Sequence, residues 1–296
     1  MRMFLMIAGI IIGIGLICFV IICIISVIEN RKLKATAYTV ASPKIPKEFN
    51  DYRMVVLADL HNACYGNQND KLLELIREQR PDCILIAGDM IVGKPGHSTD
   101  VPAHLINELA KEYPIYYGKG NHELRVGLYK ETYGDLWECY LQQLDERINW
   151  LSNEQVVLNR NGASIYLYGL DMEPRYYKRF RHTPMDKMYL SSLLGSPKKD
   201  GFNMLIAHNP DYFHKYAQWG ADLVFSGHLH GGLVRLPWFG GMVSPMFHFF
   251  PKYDKGRYKK EDSEMLLSGG LGNHTFKFRV NNIPEILVIT LTSNVE

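Results

Sequence analysis

The sequence predicts an α/β fold, a four-layer α/β/β/α sandwich preceded by one N-terminal transmembrane helix. Three features of the chain support this prediction. An uncharged apolar run lies near the N-terminus, strand-like apolar runs then alternate with amphipathic helical stretches, and the C-terminal part is rich in strand-like runs. Strands that alternate with helices are typical of sheets covered by helices, and the later run of strands favours the sandwich.

The apolar run extends from Phe4 to Ile28 and contains no charged residue. As a helix it reaches roughly 35 Å, which is enough to cross a hydrocarbon core of about 30 Å. A cleavable signal peptide is the alternative, because Ala35-Thr36-Ala37 has the chemistry of a cleavage site. The apolar region of a signal peptide is normally only about 7–15 residues long, and here cations intervene before the cleavage site. We therefore expect an uncleaved single-pass anchor at residues 1–30.

The positive charges that flank this run bear on its orientation. Arg2 lies on one side of it, while Arg31, Lys32 and Lys34 lie on the other side. The positive-inside rule, taken literally, would therefore place the remainder of the chain in the cytoplasm.

After a polar, proline-containing linker at residues 31–50, we expect one domain at residues 51–296. Strands are predicted at Met54–Ala58, Cys83–Ala87 and Ile115–Tyr117, helices at Lys71–Ile76 and Val101–Lys111, and a longer helical stretch at Tyr129–Arg147. The first two helices end before Pro81 and Pro114, which cannot continue a helix. Strands at Val156–Leu158 and Ile165–Tyr168 flank an Asn161-Gly162 turn, which predicts a hairpin.

The rest of the chain continues this alternation and then becomes strand-rich. The predicted elements are helices at Pro184–Leu194 and Tyr212–Trp219 and strands at Met204–Ala207, Leu223–Phe225, Leu233–Leu236, Met265–Leu267 and Ile286–Leu291. The hydrophobic fraction of 47% permits a full core, and five Cys without framework spacing predict no disulfide scaffold. The net charge of +2 argues against a surface that binds polyanions, so a nucleic-acid partner is not expected.

Five short segments hold the residue types that bind metals, and most of them directly follow a strand-like run. They are Asp59-Leu60-His61, Gly88-Asp89, Gly120-Asn121-His122-Glu123, Ala207-His208-Asn209 and Gly227-His228-Leu229-His230. Carboxylate, imidazole and amide oxygen are the ligand set for Zn, Mn or Fe, and no Cys lies in any of the segments. Their position at strand ends predicts a metal centre that performs hydrolysis.

In this order and spacing, the five segments resemble the calcineurin-like metallophosphoesterase superfamily. The resemblance covers about residues 54–230, and the C-terminal strands extend it to about Leu291. The chain most resembles the bacterial branch of membrane-anchored or secreted phosphodiesterases. This resemblance implies a phosphoester substrate and two divalent metal ions, for which Mn, Fe and Zn remain open. Because related anchored enzymes tend to act outside the cell, it also favours an extracytoplasmic catalytic domain.

The resemblance also implies which residues hold each metal. One metal would take Asp59, His61, Asp89 and His230, and the other would take Asp89, Asn121, His208 and His228. A metal pair about 3.5–4 Å apart needs one carboxylate to bridge it. Asp89 suits that position because it is the acid in a glycine-flanked strand end with other ligands on both sides in sequence.

His122 follows Asn121 directly, and the resemblance implies a catalytic role for it. It would stabilise the transition state or protonate the leaving oxygen, which requires an imidazole that titrates near neutral pH. Glu123 and Asn209 are candidates for residues that orient the ligands through hydrogen bonds.

We therefore expect a membrane-tethered, dinuclear-metal phosphodiesterase or pyrophosphatase that acts on a small or lipid-linked phosphate ester. An enzyme similar to UDP-2,3-diacylglucosamine pyrophosphatase is one alternative, and an inactive membrane-tethered metal-binding scaffold is another. The intact His122 argues against the scaffold. Because no metal motif precedes Asp59, deleting residues up to about Lys34 is expected to leave turnover on small esters unchanged.

Two aromatic segments lie outside the metal motifs. Arg175–His182 interleaves cations with aromatic residues, which suits either contact with anionic groups or a solvated loop. Leu236–Phe239 and Met246–Phe250 follow the His228/His230 segment. Core packing is the more common explanation for such aromatic residues, and an apolar channel beside the metals is the alternative.

Overall fold

The computed structural model describes residues 2–178, 181–232, 234–236, 238–242, 249–273 and 278–294. Residues 179–180, Leu233, Pro237 and 246–248, which belong to segments singled out above, lie outside the described residues.

Helix α1 (Arg2–Glu29) opens the chain and is apolar on nearly all sides. Ser26 is the buried residue of this helix. Its length and composition are sufficient to cross a membrane, although a signal sequence meets the same criteria. The predicted N-terminal helix is therefore present, as a candidate membrane span.

The first sheet has the strand order β1–β14–β2–β3–β4–β5. Its strands are β1 (Lys34–Ala41), β2 (Arg53–Leu57), β3 (Cys83–Ala87), β4 (Ile115–Gly118), β5 (Asn149–Trp150) and β14 (Glu285–Thr292). Strands β2 to β5 run parallel, and β14 is antiparallel to β2. Because carboxyl ends of parallel strands meet at one edge of a sheet, the loops after β2, β3 and β4 lie side by side.

The second sheet has the strand order β12–β13–β9–β8–β7–β6. Its strands are β6 (Glu154–Arg160), β7 (Ala163–Leu170), β8 (Asn203–Ala207), β9 (Leu223–Ser226), β12 (Gly256–Lys260) and β13 (Ser263–Leu267). Strands β7, β8, β9 and β13 run parallel. The predicted hairpin joins β6 to β7, and Asn161 and Gly162 have φ values of 50° and 87°, as a two-residue turn of this kind requires.

Each sheet packs against helices on one face and against the other sheet on its other face. The helices are α2 (Asp70–Glu78), α3 (Asp100–Ala110), α4 (Asn121–Leu128), α5 (Lys130–Tyr133), α6 (Leu136–Gln143), α7 (Tyr189–Leu194) and α8 (Phe213–Trp219). On β2, Val55 belongs to a buried cluster with α2 and α3, while Met54 and Val56 belong to a cluster with the second sheet. This alternation follows from the two-residue period of a strand. Helix α8 forms a third cluster with β7, β8 and β9. The predicted α/β class is confirmed.

The structure corrects three of the predicted elements. Residues 31–50 are not only a linker, because β1 pairs with β14 along its whole length and Phe49 is fully buried. Strand β1 is an edge strand with one buried residue, Val40, and its apolar residues are interrupted by Lys34 and two Thr, so it lacks the continuous apolar run of a buried strand. The stretch Tyr129–Arg147 is two short helices, α5 and α6, since Gly134 between them has a φ of 59°. The helix predicted at Pro184–Leu194 begins only at Tyr189.

Candidate metal centre

Each predicted site residue lies at the carboxyl end of a parallel strand, in one of the two sheets. Asp59 and His61 follow β2, Asp89 follows β3, and Asn121, His122 and Glu123 begin α4 directly after β4. His208 follows β8, and His228 and His230 follow β9. The two sheets thus bring nine of the ten predicted residues to one place, and the tenth, Asn209, lies next to His208.

The imidazole rings converge on two buried carboxylates. Nε2 of His208 lies 3.1 Å from Oδ2 of Asp89, and Nε2 of His61 lies 3.7 Å from the same atom. Nε2 of His230 lies 3.6 Å from Oδ1 of Asp59 and 3.3 Å from Nε2 of His61. At these distances a cation can contact several of the side chains at once.

Three groups of side chains have their ligand atoms close enough to share one ion, with all atoms within 4.8 Å of one another. They are Asp59 with His61 and His230, Asp89 with His208 and His228, and Asp89 with His61 and His122. The first group holds three residues assigned to one predicted metal, and the second holds three assigned to the other. The third places His122, which the sequence assigns to catalysis, 3.9 Å from Oδ2 of Asp89 through its Nε2.

Backbone strain is concentrated at these positions. Five of the predicted ligands have left-handed backbone conformations, with φ between 45° and 75°: Asp59, His61, Asp89, His228 and His230. Such conformations are unfavourable for residues other than glycine and persist where the surrounding structure holds them, often at functional sites. The sharp turns allow consecutive residues after a strand to point toward the same centre.

Two glycines allow the loops after β3 and β4 to cross. A Cβ atom on Gly88 would lie 2.4 Å from the backbone nitrogen of Gly120, and one on Gly120 would lie 2.2 Å from Oδ1 of Asp89. Neither space accepts a side chain. The glycines in these two motifs are therefore required so that Asp89 can lie against the start of α4.

Hydrogen bonds to backbone carbonyls orient the imidazoles. Nδ1 of His208 lies 2.6 Å from the Ala87 oxygen, and Nδ1 of His230 lies 2.9 Å from the Gly272 oxygen. Nδ1 of His122 contacts the Val92 oxygen in the same way. A carbonyl oxygen only accepts, so Nδ1 carries a proton in each ring, and Nε2 is the nitrogen left to face the carboxylates or a metal. This is the tautomer that a metal ligand needs.

Glu123 connects the loops of the first sheet through hydrogen bonds. Its buried carboxylate accepts hydrogen bonds from the backbone N–H groups of Asp89 at 2.9 Å, Met90 at 2.7 Å and Gly120 at 3.0 Å. Burial, together with nearby Asp89, raises the pKa of Glu123. Asn209 differs from Glu123, because its side chain donates to the Tyr176 oxygen at 2.9 Å and accepts from the Asp211 N–H at 3.0 Å.

The protonation of the centre is strongly perturbed. Burial raises the pKa of Asp59 to about 7, and the neighbouring Asp89 adds to this shift. Burial opposes ionisation of Asp89 as well, but the facing imidazoles of His208 and His122 hold its pKa well below the usual range. Burial also disfavours the charged form of His208, yet Asp89 raises its pKa to about 10. Burial lowers the pKa of His122.

The donor set fits divalent metal ions. Two carboxylates and several oriented imidazoles are buried together, which is costly unless a cation or protons compensate the charge. The side-chain oxygen of Asn121 is buried and has no hydrogen-bond partner among the residues described. An amide oxygen in such a position is suited to coordinate an ion.

Two residues that support His230 were not predicted from the sequence. The guanidinium of Arg279 is fully buried and donates to the carbonyl oxygens of Gly269 and Gly272, each at 2.9 Å. Gly272 is the residue whose oxygen also contacts Nδ1 of His230. Asn282 donates through its amide to the oxygen of His230 itself at 2.6 Å.

The end of α1 contacts both supporting residues. The Ser26 hydroxyl accepts a hydrogen bond from the backbone N–H of Arg279 at 2.9 Å, and the Glu29 carboxylate accepts from that of Asn282 at 2.9 Å. Single long-range contacts of this kind leave no periodic pattern in a sequence, which is why Arg279 and Asn282 were missed.

Comparison with known proteins places the centre in a family. The family model for calcineurin-like phosphoesterases matches residues 52–232, which contain all five motifs. The chain belongs to the calcineurin-like phosphoesterase family. It is thus a hydrolase that acts on phosphoesters, and the predicted superfamily is confirmed. Members of this family typically bind divalent metals, in agreement with the donor set.

Three relatives align with most of this chain. The uncharacterized metallophosphoesterase YkuE of Bacillus subtilis is 25% identical, over 90% of this chain and 88% of its own length. The phosphodiesterase YaeI of Escherichia coli is 24% identical, over 81% of this chain and 82% of its own. The UDP-2,3-diacylglucosamine pyrophosphatase LpxG of Chlamydia muridarum is 22% identical, over 88% of this chain and 90% of its own.

Proposed function

We propose that this protein is a dinuclear-metal phosphodiesterase or pyrophosphatase, held at a membrane by α1, that acts on a small or lipid-linked phosphate ester. The observation that carries the proposal is the position of Asp89, whose carboxylate lies within ligand distance of His61 in one group of side chains and of His208 and His228 in another. A shared carboxylate is what a pair of metal ions requires, and a single-ion site would not need it.

The described side chains divide naturally into two sets around Asp89. Asp59, His61 and His230 would complete one metal position, and Asn121, His208 and His228 would complete the other. Two divalent cations, when bound, would neutralise the phosphoryl oxygens and lower the pKa of a water molecule. The ligand types suit Mn, Fe and Zn alike.

His122 would act on the proton of the leaving oxygen. Its Nδ1 is held by the Val92 oxygen, so Nε2 is the atom that faces the centre and exchanges a proton. Burial lowers the pKa of the ring, but the adjacent Asp89 carboxylate opposes this shift and favours the protonated form. A negatively charged phosphoryl group beside the ring would favour that form further. This residue also argues against an inactive scaffold, which needs no such group.

A UDP-2,3-diacylglucosamine pyrophosphatase-like activity is the second candidate. The alignment with LpxG favours it, because at 88% of this chain it extends beyond residues 52–232, which the family model matches. The membrane helix would raise the local concentration of a lipid-linked substrate around the centre. We place the catalytic domain outside the cytoplasm and do not expect nucleic acid as a substrate, since the net charge is only +2.

A turnover panel with the full-length protein in detergent tests these proposals. The protein is stripped with a chelator and reloaded separately with Mn, Fe or Zn. Each form is then assayed on a nitrophenyl monoester, a bis-nitrophenyl diester, a UDP-diacylglucosamine lipid and DNA. We expect metal-dependent hydrolysis of the diester or the nucleotide lipid that exceeds the monoester rate. Metal-independent turnover, or a preference for DNA, would contradict the proposal.

A further inference from the structure

A cluster of aromatic side chains projects into solvent directly after the His228/His230 loop. Trp238 is 99% exposed, Phe239 73%, Phe249 74% and Phe250 58%. The sequence favoured core packing for these residues, and that prediction is wrong for these four. Exposed apolar patches of this size usually mark a surface that contacts another molecule or a membrane.

The local structure holds these side chains outward. Strands β10 (Arg235–Leu236) and β11 (Gly240–Gly241) form a short antiparallel hairpin with Trp238 and Phe239 at its turn. We call the described residues from Val234 to Phe250 the aromatic hairpin. The buried Asp254 fixes its base, accepting from the Arg235 guanidinium at 2.9 Å and from the Gly241 N–H at 2.7 Å. The backbone N–H of Phe250 donates a hydrogen bond to the Met242 oxygen at 2.9 Å, which attaches Phe250 to the hairpin.

The aromatic hairpin is joined to the end of α1 by a short segment. Val234 forms a parallel bridge with Val280, and the Arg235 N–H donates to the Val280 oxygen at 2.9 Å. The residues on either side of this contact, Arg279 and Asn282, are those whose backbone N–H groups donate to Ser26 and Glu29 of α1. The hairpin base therefore lies beside the point at which a spanning helix would leave the bilayer.

We propose that the aromatic hairpin is a second membrane contact, which inserts Trp238 and its neighbouring phenylalanines into the lipid interface beside α1. Trp is enriched at the boundary between the hydrocarbon core and the headgroups, where an amphipathic ring is favoured. Lys252 is exposed two residues after Phe250, where its cation can reach lipid phosphates. The proposal rests on the proposed anchoring role of α1, because that role supplies the membrane next to the hairpin.

Insertion of the hairpin has a consequence for the metal centre. His230 lies four residues before Val234 and contacts the segment that joins the hairpin to α1. With α1 and the hairpin both held by the bilayer, the centre has a fixed height and orientation at the lipid surface. A single tether would leave the domain free to rotate. Two contacts favour a phosphate ester that is presented at the headgroup level.

Quenching by brominated lipid tests the proposal directly. Full-length protein is reconstituted into phosphatidylcholine–phosphatidylglycerol vesicles with or without dibrominated phosphatidylcholine, and Trp emission is recorded. The chain has four Trp, of which Trp137 and Trp150 are half-buried and Trp219 is buried, so the exposed Trp238 is the one placed to meet lipid. We expect quenching in the wild type and its loss in Trp238→Phe. Equal quenching in both proteins would overturn the proposal.

A relocated tryptophan provides the matched control. Val157 is 40% exposed on β6, which lies at the opposite edge of the second sheet from β12. Val157→Trp in the Trp238→Phe background should add an unquenched signal, and quenching there would mean that another face meets the bilayer. Thermal melts confirm that both variants fold. Carbonate extraction measures anchoring by α1 on its own, and turnover on a soluble diester measures the proposed chemistry on its own. A negative result in either assay can therefore be told apart from a hairpin that does not contact the membrane.

Discussion

The two sheets contribute different chemistry to the centre. The first sheet delivers both carboxylates, the amide of Asn121 and the imidazoles of His61 and His122, whereas the second sheet delivers only imidazoles. Both carboxylates thus lie on one side of the centre, and the other side contributes only imidazole nitrogens. Asp59 spans the two sides, because both of its oxygens accept a hydrogen bond from the His228 N–H at 3.0 Å. Assembly of the site therefore requires that the sheets are docked.

The two sides also differ in how their ligands are supported. On the first sheet, Glu123 follows β4 and binds backbone N–H groups of the loops after β3 and β4, so this support comes from within the same sheet. On the second, His230 depends on Arg279 and Asn282, which lie some fifty residues away and contact α1. We infer that the first side is organised locally, while the second is sensitive to changes in distant parts of the chain.

Removing the shared carboxylate should have the largest effect. Asp89→Asn should lose both metals and nearly all hydrolysis, with a fall in turnover well beyond the roughly 10–100-fold typical of a residue that only supports a ligand. Metal analysis and turnover are measured on the same sample. Asp262→Asn, in the exposed turn between β12 and β13, is the matched control and should behave as wild type. Full metal content with normal turnover in Asp89→Asn would refute the shared-carboxylate assignment.

His122→Asn should separate catalysis from metal binding on the first side. Both metals should remain, while the rate falls by about 10²–10⁴-fold, as is usual for loss of an acid–base group. The loss should be smaller for a nitrophenyl ester, whose leaving group needs little protonation. His122 also lies within ligand distance of Asp89, so metal content decides its role. Loss of one metal together with activity would make His122 a ligand.

Arg279→Met should weaken the second side alone. The Gly272 oxygen would lose its buried cation, and we expect metal affinity at the His230 position to fall about 10–100-fold. The dependence of turnover on metal concentration distinguishes weaker metal binding from a general defect, since a high metal concentration should restore kcat. Arg279→Lys should recover part of the affinity because it keeps the charge. A fall in kcat that excess metal does not restore would show that the guanidinium supports the fold more generally.

The pH dependence of the metal-free centre follows from its raised pKa values. For a group whose folded pKa is raised, the contribution to stability is present at low pH and is lost as pH rises. The contribution of Asp59 is lost between pH 3.8 and about 7, and that of His208 between pH 6.5 and about 10. The melting temperature of chelated protein should therefore fall from pH 7 to 9, whereas metal affinity should rise, because binding displaces these protons. A rising melting temperature over this range would contradict the assignment.

The smallest expected effect concerns α1. Ser26→Ala combined with Glu29→Ala removes both acceptors that hold the Arg279–Asn282 segment, and we expect a few-fold loss of metal affinity at the His230 position. Ile28→Val, at an exposed position of the same helix, should have no effect. Metal titrations of the full-length proteins in detergent provide the comparison. Identical affinities in all three proteins would show that the α1 contacts do not reach the centre.

The sequence predicted the parts of this molecule that repeat a simple physical pattern. Strands β3 and β8 are buried on both faces and are continuous apolar runs, so they and the motifs that follow them were found. Strand β1 was not, because an edge strand needs few apolar residues. The ligand positions were predicted from residue type and order, and the side chains concerned lie close together in the structure.

Long-range contacts explain the features that could not be predicted from the sequence. With no metal motif before Asp59, the N-terminus was expected to be dispensable, but Ser26 and Glu29 hydrogen-bond to the segment that supports His230. Likewise, nothing local distinguishes an aromatic residue in a core from Trp238 at the tip of a hairpin. Both features depend on where the end of α1 lies relative to the second sheet, which no local pattern encodes.

Anomalous diffraction from crystals of the Mn-loaded protein would test the central claim most directly. Two Mn peaks about 3.5–4 Å apart should flank the Asp89 carboxylate. One should contact Asp59, His61 and His230, and the other should contact Asn121, His208 and His228. A single peak, or two peaks that do not share Asp89, would contradict the dinuclear centre.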